Sequence, residues 1–180
     1  MAWSAPMTAV ANSTFTAAQF NTYVRDNLNE TAPAKATAAG SYFVGSGINA
    51  IAERRAETAL ELGTGTTSST TYTDLGGGAA IGPTITLETG PAALIIVRCS
   101  AENSGGGSAR MAYDVSGATS LAAADNRGVG IFGSAGVNVN ASDVSRWTAL
   151  TPGTNTFTAK YRVSSGTGTF LSRRIIVVPF

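Results

Sequence analysis

The chain has 180 residues, of which 43% are apolar and only 13% charged; a soluble domain ordinarily carries about 25% charged residues, so Ala, Gly, Thr and Ser, roughly half the chain, must supply much of the surface. Twelve Lys and Arg against eleven Asp and Glu leave a net charge of +1, without the basic excess that gripping a phosphate backbone requires. With no histidine, and Cys99 as the single cysteine, the chain has no Ser-His-Asp or Cys-His nucleophile, no imidazole metal site, no intrachain disulfide and no multi-thiolate zinc site.

The N-terminus, Met1 to Pro6, has neither the basic region nor the apolar stretch of a secretory signal. No run approaches the about eighteen apolar residues of a membrane span, so the expectation is synthesis in a cytoplasm and no membrane partner. The first element is a helix over about 17–30. Thr16 is a good N-cap with Gln19 three residues on, a capping box, and Phe15 and Phe20 stand where a hydrophobic staple forms. Phe20, Tyr23, Val24 and Leu28 then make one apolar stripe, and Pro33 stops the run. Residues 41–52 read as a small hairpin, with Ser41-Tyr42-Phe43-Val44 and Ile48-Asn49-Ala50-Ile51 flanking Gly45-Ser46-Gly47. The apolar positions of Ala52 to Leu62 fit a short helix or an extended arm. Residues 63–71 are Gly, Thr and Ser only, the composition of a linker.

Beyond Thr71 the apolar period becomes two. Met111, Tyr113 and Val115 alternate with polar or small neighbours, as do Phe157, Ala159, Tyr161 and Val163. Ala92 to Val97 and Ile175 to Val178 are apolar on both faces, which suits central strands or strands buried between subunits. Turn signals stand at Gly76-Gly77-Gly78, Gly105-Gly106-Gly107, Pro152-Gly153 and Gly166-Thr167-Gly168. Seven or eight short strands without a helix predict an antiparallel β-sandwich, most simply a jelly roll. The fold class is therefore mainly β: an anchoring arm at 1–62, a linker at 63–71 and a sandwich at 72–180. The stripe is too short to be stable alone and has no core of its own, so it docks on the sandwich, on another copy or on another protein.

Chemistry is thin. Gly128-Val129-Gly130-Ile131-Phe132-Gly133 spells G-x-G-x-x-G, but no helical period follows, so it reads as a glycine-containing strand or loop and no cofactor is expected. Glu88, Glu102, Asp114 and Asp125 are the carboxylates that a glycan-cleaving acid–base pair would draw on; solvated edges and loop tips are the plainer reading. Lys35 and Lys160 have no motif partner. The pairs Arg54-Arg55 and Arg173-Arg174 read as salt-bridged surface, Cys99 as a core thiol, and Trp147 and Tyr161 as core or interface. No catalytic residue and no metal ligand is assigned.

The run Phe15-Thr16-Ala17-Ala18-Gln19-Phe20-Asn21-Thr22-Tyr23-Val24-Arg25-Asp26-Asn27-Leu28, with Ala32-Pro33-Ala34-Lys35-Ala36, resembles the start of virion structural proteins of tailed phages of actinobacteria, of the head-decoration, minor-tail or tail-fibre type. Thr154-Asn155-Thr156-Phe157 and Arg173-Arg174-Ile175-Ile176-Val177-Val178 are similar to their β-rich tips. The resemblance implies a non-enzymatic protein of the virion. Its N-terminal segment anchors to a major capsid or tail protein, and its head projects as a homotrimer. The anchor is then Phe15, Phe20, Tyr23, Val24 and Leu28, and the trimer interface Ile175, Ile176, Val177 and Val178. Head decoration is favoured slightly over a fibre by the compact size. A tail-associated module binding a host surface glycan is the alternative, which requires exposed aromatics on the sandwich; a small depolymerase is the third.

Overall fold

The computed structural model describes residues 3–76 and 81–180; Gly77 and Gly78 of the expected turn lie outside them. The described residues fall into two compact units, one ending at Arg55 and also containing Phe180, the other spanning Ala56–Pro179.

In the N-terminal unit the helix starts as its sequence dictates. Gln19 N–H donates to Thr16 Oγ1 (3.2 Å) and Thr16 N–H to Gln19 Oε1 (2.9 Å), the reciprocal box. The staple rings of Phe15 and Phe20 meet edge to face at 6.2 Å. The run is not one regular helix, however. α1 (Ala17–Phe20) passes into a π-helical turn (Asn21–Arg25) and then α2 (Asp26–Asn29). Asn27, in α2 just beyond that turn, is buried. Its Nδ2 donates to the Tyr23 carbonyl (3.1 Å) and to the Ser4 carbonyl (3.1 Å), while its Oδ1 accepts the Ser4 N–H (2.8 Å). A side chain competing for the i−4 carbonyl disturbs a regular helix, and here it ties the extended N-terminal segment to the helix. Pro33 does not simply terminate the chain's helical course; it sits in the first turn of α3 (Ala32–Lys35), where its missing N–H is harmless.

The hairpin is present as β1 (Tyr42–Gly47) and β2 (Ala50–Arg54), but its turn is at Ile48-Asn49 rather than Gly45-Ser46-Gly47. Asn49 takes the left-handed φ of 54° that the turn demands, and Gly45 stays paired with Ile51.

The second unit is an antiparallel jelly roll. Its strands are β3 (Glu57–Glu61), β4 (Gly65–Thr67), β5 (Thr84–Thr89), β6 (Ala93–Asn103), β7 (Ala109–Gly117), β8 (Gly128–Ile131), β9 (Val139–Trp147), β10 (Gly153–Val163) and β11 (Gly168–Pro179). One sheet has the order β3-β11-β6-β9, with β4 also on β11; the other has the order β5-β10-β7-β8. First strand pairs with last, β5 with β10, β6 with β9 and β7 with β8, the nesting of a long hairpin rolled into two sheets. The expected boundary is therefore corrected. Glu57–Glu61 and Gly65–Thr67 belong to the sandwich, because each finds a backbone ladder on β11. Gly/Thr composition makes a flexible linker only when nothing offers it such an edge.

The alternating strands bury the face they predict. Phe157, Ala159, Tyr161 and Val163 are fully buried against Met111, Tyr113, Ile95, Val97 and Phe170. A fully buried side chain of this size is worth about 1.5–3 kcal/mol. Tyr161 and Phe170 rings lie 5.0 Å apart across the two sheets. β11 carries one extra residue between Leu171 and Arg174, a bulge with Ser172 at φ 49°. It turns Arg173 inward.

Candidate functional site

Two surfaces stand out, one in each unit. Among residues 3–55 the one buried side chain is Asn27; no apolar side chain reaches full burial. Trp3, Val10, Phe15, Phe20, Leu28 and Ile48 are exposed, Ile48 at 90%, whereas Tyr23 and Val24 are half-buried. Of the stripe expected from the sequence, Phe20 and Leu28 are thus presented to solvent, while Tyr23 and Val24 are partly covered. The unit is held by polar ties instead. The Glu53 carboxylate accepts from Thr37 N–H (2.9 Å), Thr37 Oγ1 (2.5 Å), Ala38 N–H (3.2 Å) and the Ser41 hydroxyl. These hydrogen bonds, those of Ser41 and Thr37 first, hold its pKa down at about 2. In the same unit an open hollow is lined by Trp3, Glu30, Asn49 and Ile51, and Glu30 there pairs with Lys35 at 3.0 Å.

The second surface is the solvent face of the β5-β10-β7-β8 sheet. Alternation that buries Tyr161 and Met111 sends Lys160, Arg162, Arg110 and Asp114 outward, and register sets Arg162, Arg110 and Gly130 in one row across three strands. Asp125 accepts from Arg162 Nε (2.9 Å) and Nη2 (2.5 Å) and from the Tyr72 hydroxyl (3.0 Å). Hydrogen bonding from Arg162 lowers the Asp125 pKa. Burial, reinforced by Asp125, pushes that of Tyr72 up to about 12. Lys160 lies 2.8 Å from Asp74 and 3.6 Å from Asp114. Burial by itself would lower its pKa, but the two carboxylates hold it above the ordinary lysine value. Arg162 lies over the Tyr72 ring at 5.5 Å, and Arg110 over the Phe132 ring at 4.9 Å. Phe132 is 69% exposed.

The remaining sequence candidates disperse. Glu88 accepts the Thr154 hydroxyl; Glu102 is on the other sheet, in β6. Gly128 and Gly130 lie in strand β8, not at a helix start; a Cβ on Gly128 would sit 2.1 Å from the Met111 carbonyl oxygen, so close strand approach explains that glycine. Cys99 is buried, and burial pushes its thiol pKa up to about 12. Trp147 packs partly buried against the core with Arg127 at 5.1 Å over its ring. The expected interface run splits by strand alternation. Ile175 and Val177 are fully buried inside their own sandwich, so they cannot face a second copy. Ile176 and Val178 point the other way, in register with Ile96 and Leu94.

Arg173 corrects the surface reading of the Arg173-Arg174 pair. It is fully buried, donating from Nη1 to the Gly82 carbonyl (3.1 Å) and the Tyr161 hydroxyl (3.4 Å) and from Nη2 to the Gly63 carbonyl (3.3 Å). Only the bulge distinguishes it from its neighbour, and a single extra residue in a strand has no sequence signature. Among the described residues no three Asp, Glu or Cys side chains converge to hold a metal ion, and no helix is long and apolar enough to cross a membrane.

No family model matches the chain. No curated protein matches it either. Among solved structures it is similar to Eiger TNF from S. frugiperda, with a TM-score of 0.41 and 11% identity over 68% of this chain and 91% of that one. It also resembles part of an isomalto-dextranase from Arthrobacter globiformis T6, complexed with panose (TM-score 0.36, 16% identity, 72% of this chain and 26% of that one). A third likeness is to latent PorU from Porphyromonas gingivalis (TM-score 0.29, 16% identity, 67% of this chain and 13% of that one).

Proposed function

We propose that the chain is a non-enzymatic virion structural protein, displayed on a phage particle as capsid decoration or fibre. Its N-terminal unit anchors to a capsid or tail protein and its jelly roll projects. The observation that carries this reading is the N-terminal unit's lack of any buried apolar side chain among its described residues. Ordering backbone costs about 1–2 kcal/mol per residue, and a two-stranded hairpin with a short helix does not recover that alone. Exposed Phe15, Phe20 and Leu28 on a capped helix supply apolar area for a partner to bury. The sequence resemblance of residues 15–36 names the kind of partner. Association as a homotrimer belongs to the same reading and draws on the outward Ile176 and Val178 together with Leu94, Ile96 and Val144.

The test is Phe20→Ala combined with Val24→Ser. Copy number on purified particles should fall to background while the isolated variant keeps its melting temperature. Normal incorporation refutes the anchor; a collapsed melt assigns the helix to the protein's own stability instead. Light scattering that returns a monomer at micromolar concentration refutes the trimer.

A further inference from the structure

The β8 end of the charged face holds an arginine whose guanidinium makes an ion pair but no hydrogen bond. Among the described residues the Arg110 side chain donates no hydrogen bond. Its Nε is buried without an acceptor, and Nη1 stands 3.7 Å from Asp125 Oδ2. That carboxylate is already committed to Arg162 and Tyr72. Arg110 and Arg162 are direct cross-strand neighbours, a like-charge pairing that ordinarily destabilises a sheet. Two guanidiniums therefore share one carboxylate at this end. The compensating excess of negative charge surrounds Lys160, between Asp74 and Asp114. The face is polarised, and its positive end lies beside an exposed ring. Gly130 makes this possible: a Cβ there would meet Arg110 Nη1 at 3.1 Å and the Phe132 ring at 3.2 Å, so bare backbone lets both side chains lie over β8.

A guanidinium fork with free donors recognises a carboxylate through parallel charge-assisted hydrogen bonds. The Arg110 guanidinium covers one face of the Phe132 ring; the other, open face accepts the apolar C–H face of a sugar ring, and a few placed polar groups then fix orientation. An inorganic anion would use Arg110 and leave the Phe132 ring in water. A neutral sugar would use the ring and leave Arg110 unpaired. We propose that Arg110, Phe132 and the Tyr72–Asp125–Arg162 network form a binding site for a carboxylated saccharide of the uronic-acid type. Arg110 takes the carboxylate, Phe132 supports the ring and Asp125 faces its hydroxyls. The site does not depend on particle attachment, so it stands or falls separately from the anchor.

Calorimetric titration of the full chain tests it, with short oligogalacturonates, malto-oligosaccharides of matched length, acetate and phosphate as probes. The expected result is saturable binding of oligogalacturonate, at least about tenfold tighter than the neutral oligomer, as a charged hydrogen bond provides. Phe132→Ala, at an exposed position, should weaken it about tenfold without moving the melting temperature, and Arg110→Gln should abolish the preference for the acidic sugar. Four outcomes overturn the proposal: no saturable binding of oligogalacturonate, equal affinity for the neutral oligomer, acetate or phosphate binding as tightly as the sugar, or unchanged affinity in Phe132→Ala.

Discussion

Asn155 offers the sharpest check on how the jelly roll is held together. It is fully buried near the start of β10, and its amide ties three segments. Oδ1 accepts the Thr119 N–H (2.7 Å) from the β7–β8 connection, and Nδ2 donates to Thr89 Oγ1 (2.8 Å) at the end of β5. Nδ2 also donates to the Thr151 carbonyl (3.0 Å) in the β9–β10 connection. Thr151 N–H in turn donates to Thr119 Oγ1 (2.9 Å), closing the network. Asn155→Ala strips partners from the Thr119 amide and the Thr151 carbonyl, while the Thr89 hydroxyl can rotate and re-pair. The Thr119 amide becomes a buried orphan, which costs about 1–3 kcal/mol, and the bond lost to the exposed Thr151 adds about 0.5–1.5 kcal/mol; the total of about 1.5–4.5 kcal/mol is a large part of the about 5–15 kcal/mol a domain has. At about 2–4 °C per kcal/mol for a chain of this size, the melting temperature should fall by about 3–18 °C. Scanning calorimetry with urea unfolding measures both quantities. Asn155→Asp keeps the acceptor for Thr119 but loses both donors and sets a carboxylate against the Thr151 carbonyl, so it should be at least as harmful. A loss below about 1 kcal/mol in Asn155→Ala would mean water replaces the amide and would refute the reasoning.

Two further expectations concern the N-terminal unit and the boundary between units. The folded pKa of Glu53, about 2, lies below the unfolded 4.5, so its stabilising contribution is complete above about pH 4.5 and is lost as pH falls toward 2. Amide resonances of Thr37 and Ala38 should titrate with a midpoint near 2 in the native protein, and Glu53→Gln should remove that step; a midpoint at the ordinary glutamate value would contradict the hydrogen-bonded geometry. A fragment 56–180 should melt cooperatively, whereas 66–180, which lacks β3 and bares the edge of β11 from Arg173 to Val177, should be less stable and should self-associate through that edge. Identical melts and elution volumes for the two fragments would remove β3 from the sandwich.

What residues 15–36 determine is local, and it was legible for that reason. A capping box needs only Thr16 and Gln19, and the staple only Phe15 and Phe20, groups within a turn of each other. Strand alternation is equally local, so Phe157, Ala159, Tyr161 and Val163 declared their buried face. The tertiary structure decided whatever depended on a distant partner. β3 and β4 became strands because β11 offered them an edge. The run Ile175–Val178 was divided between core and surface by alternation within a sheet covered on one side. One bulge sent Arg173 inside and left Arg174 out. The charged face joins Tyr72, Arg110, Asp125, Phe132 and Arg162 from four separate stretches of chain. No spacing in the sequence records that meeting, because strand order and register, set by burial of the opposite faces, are what bring those side chains together.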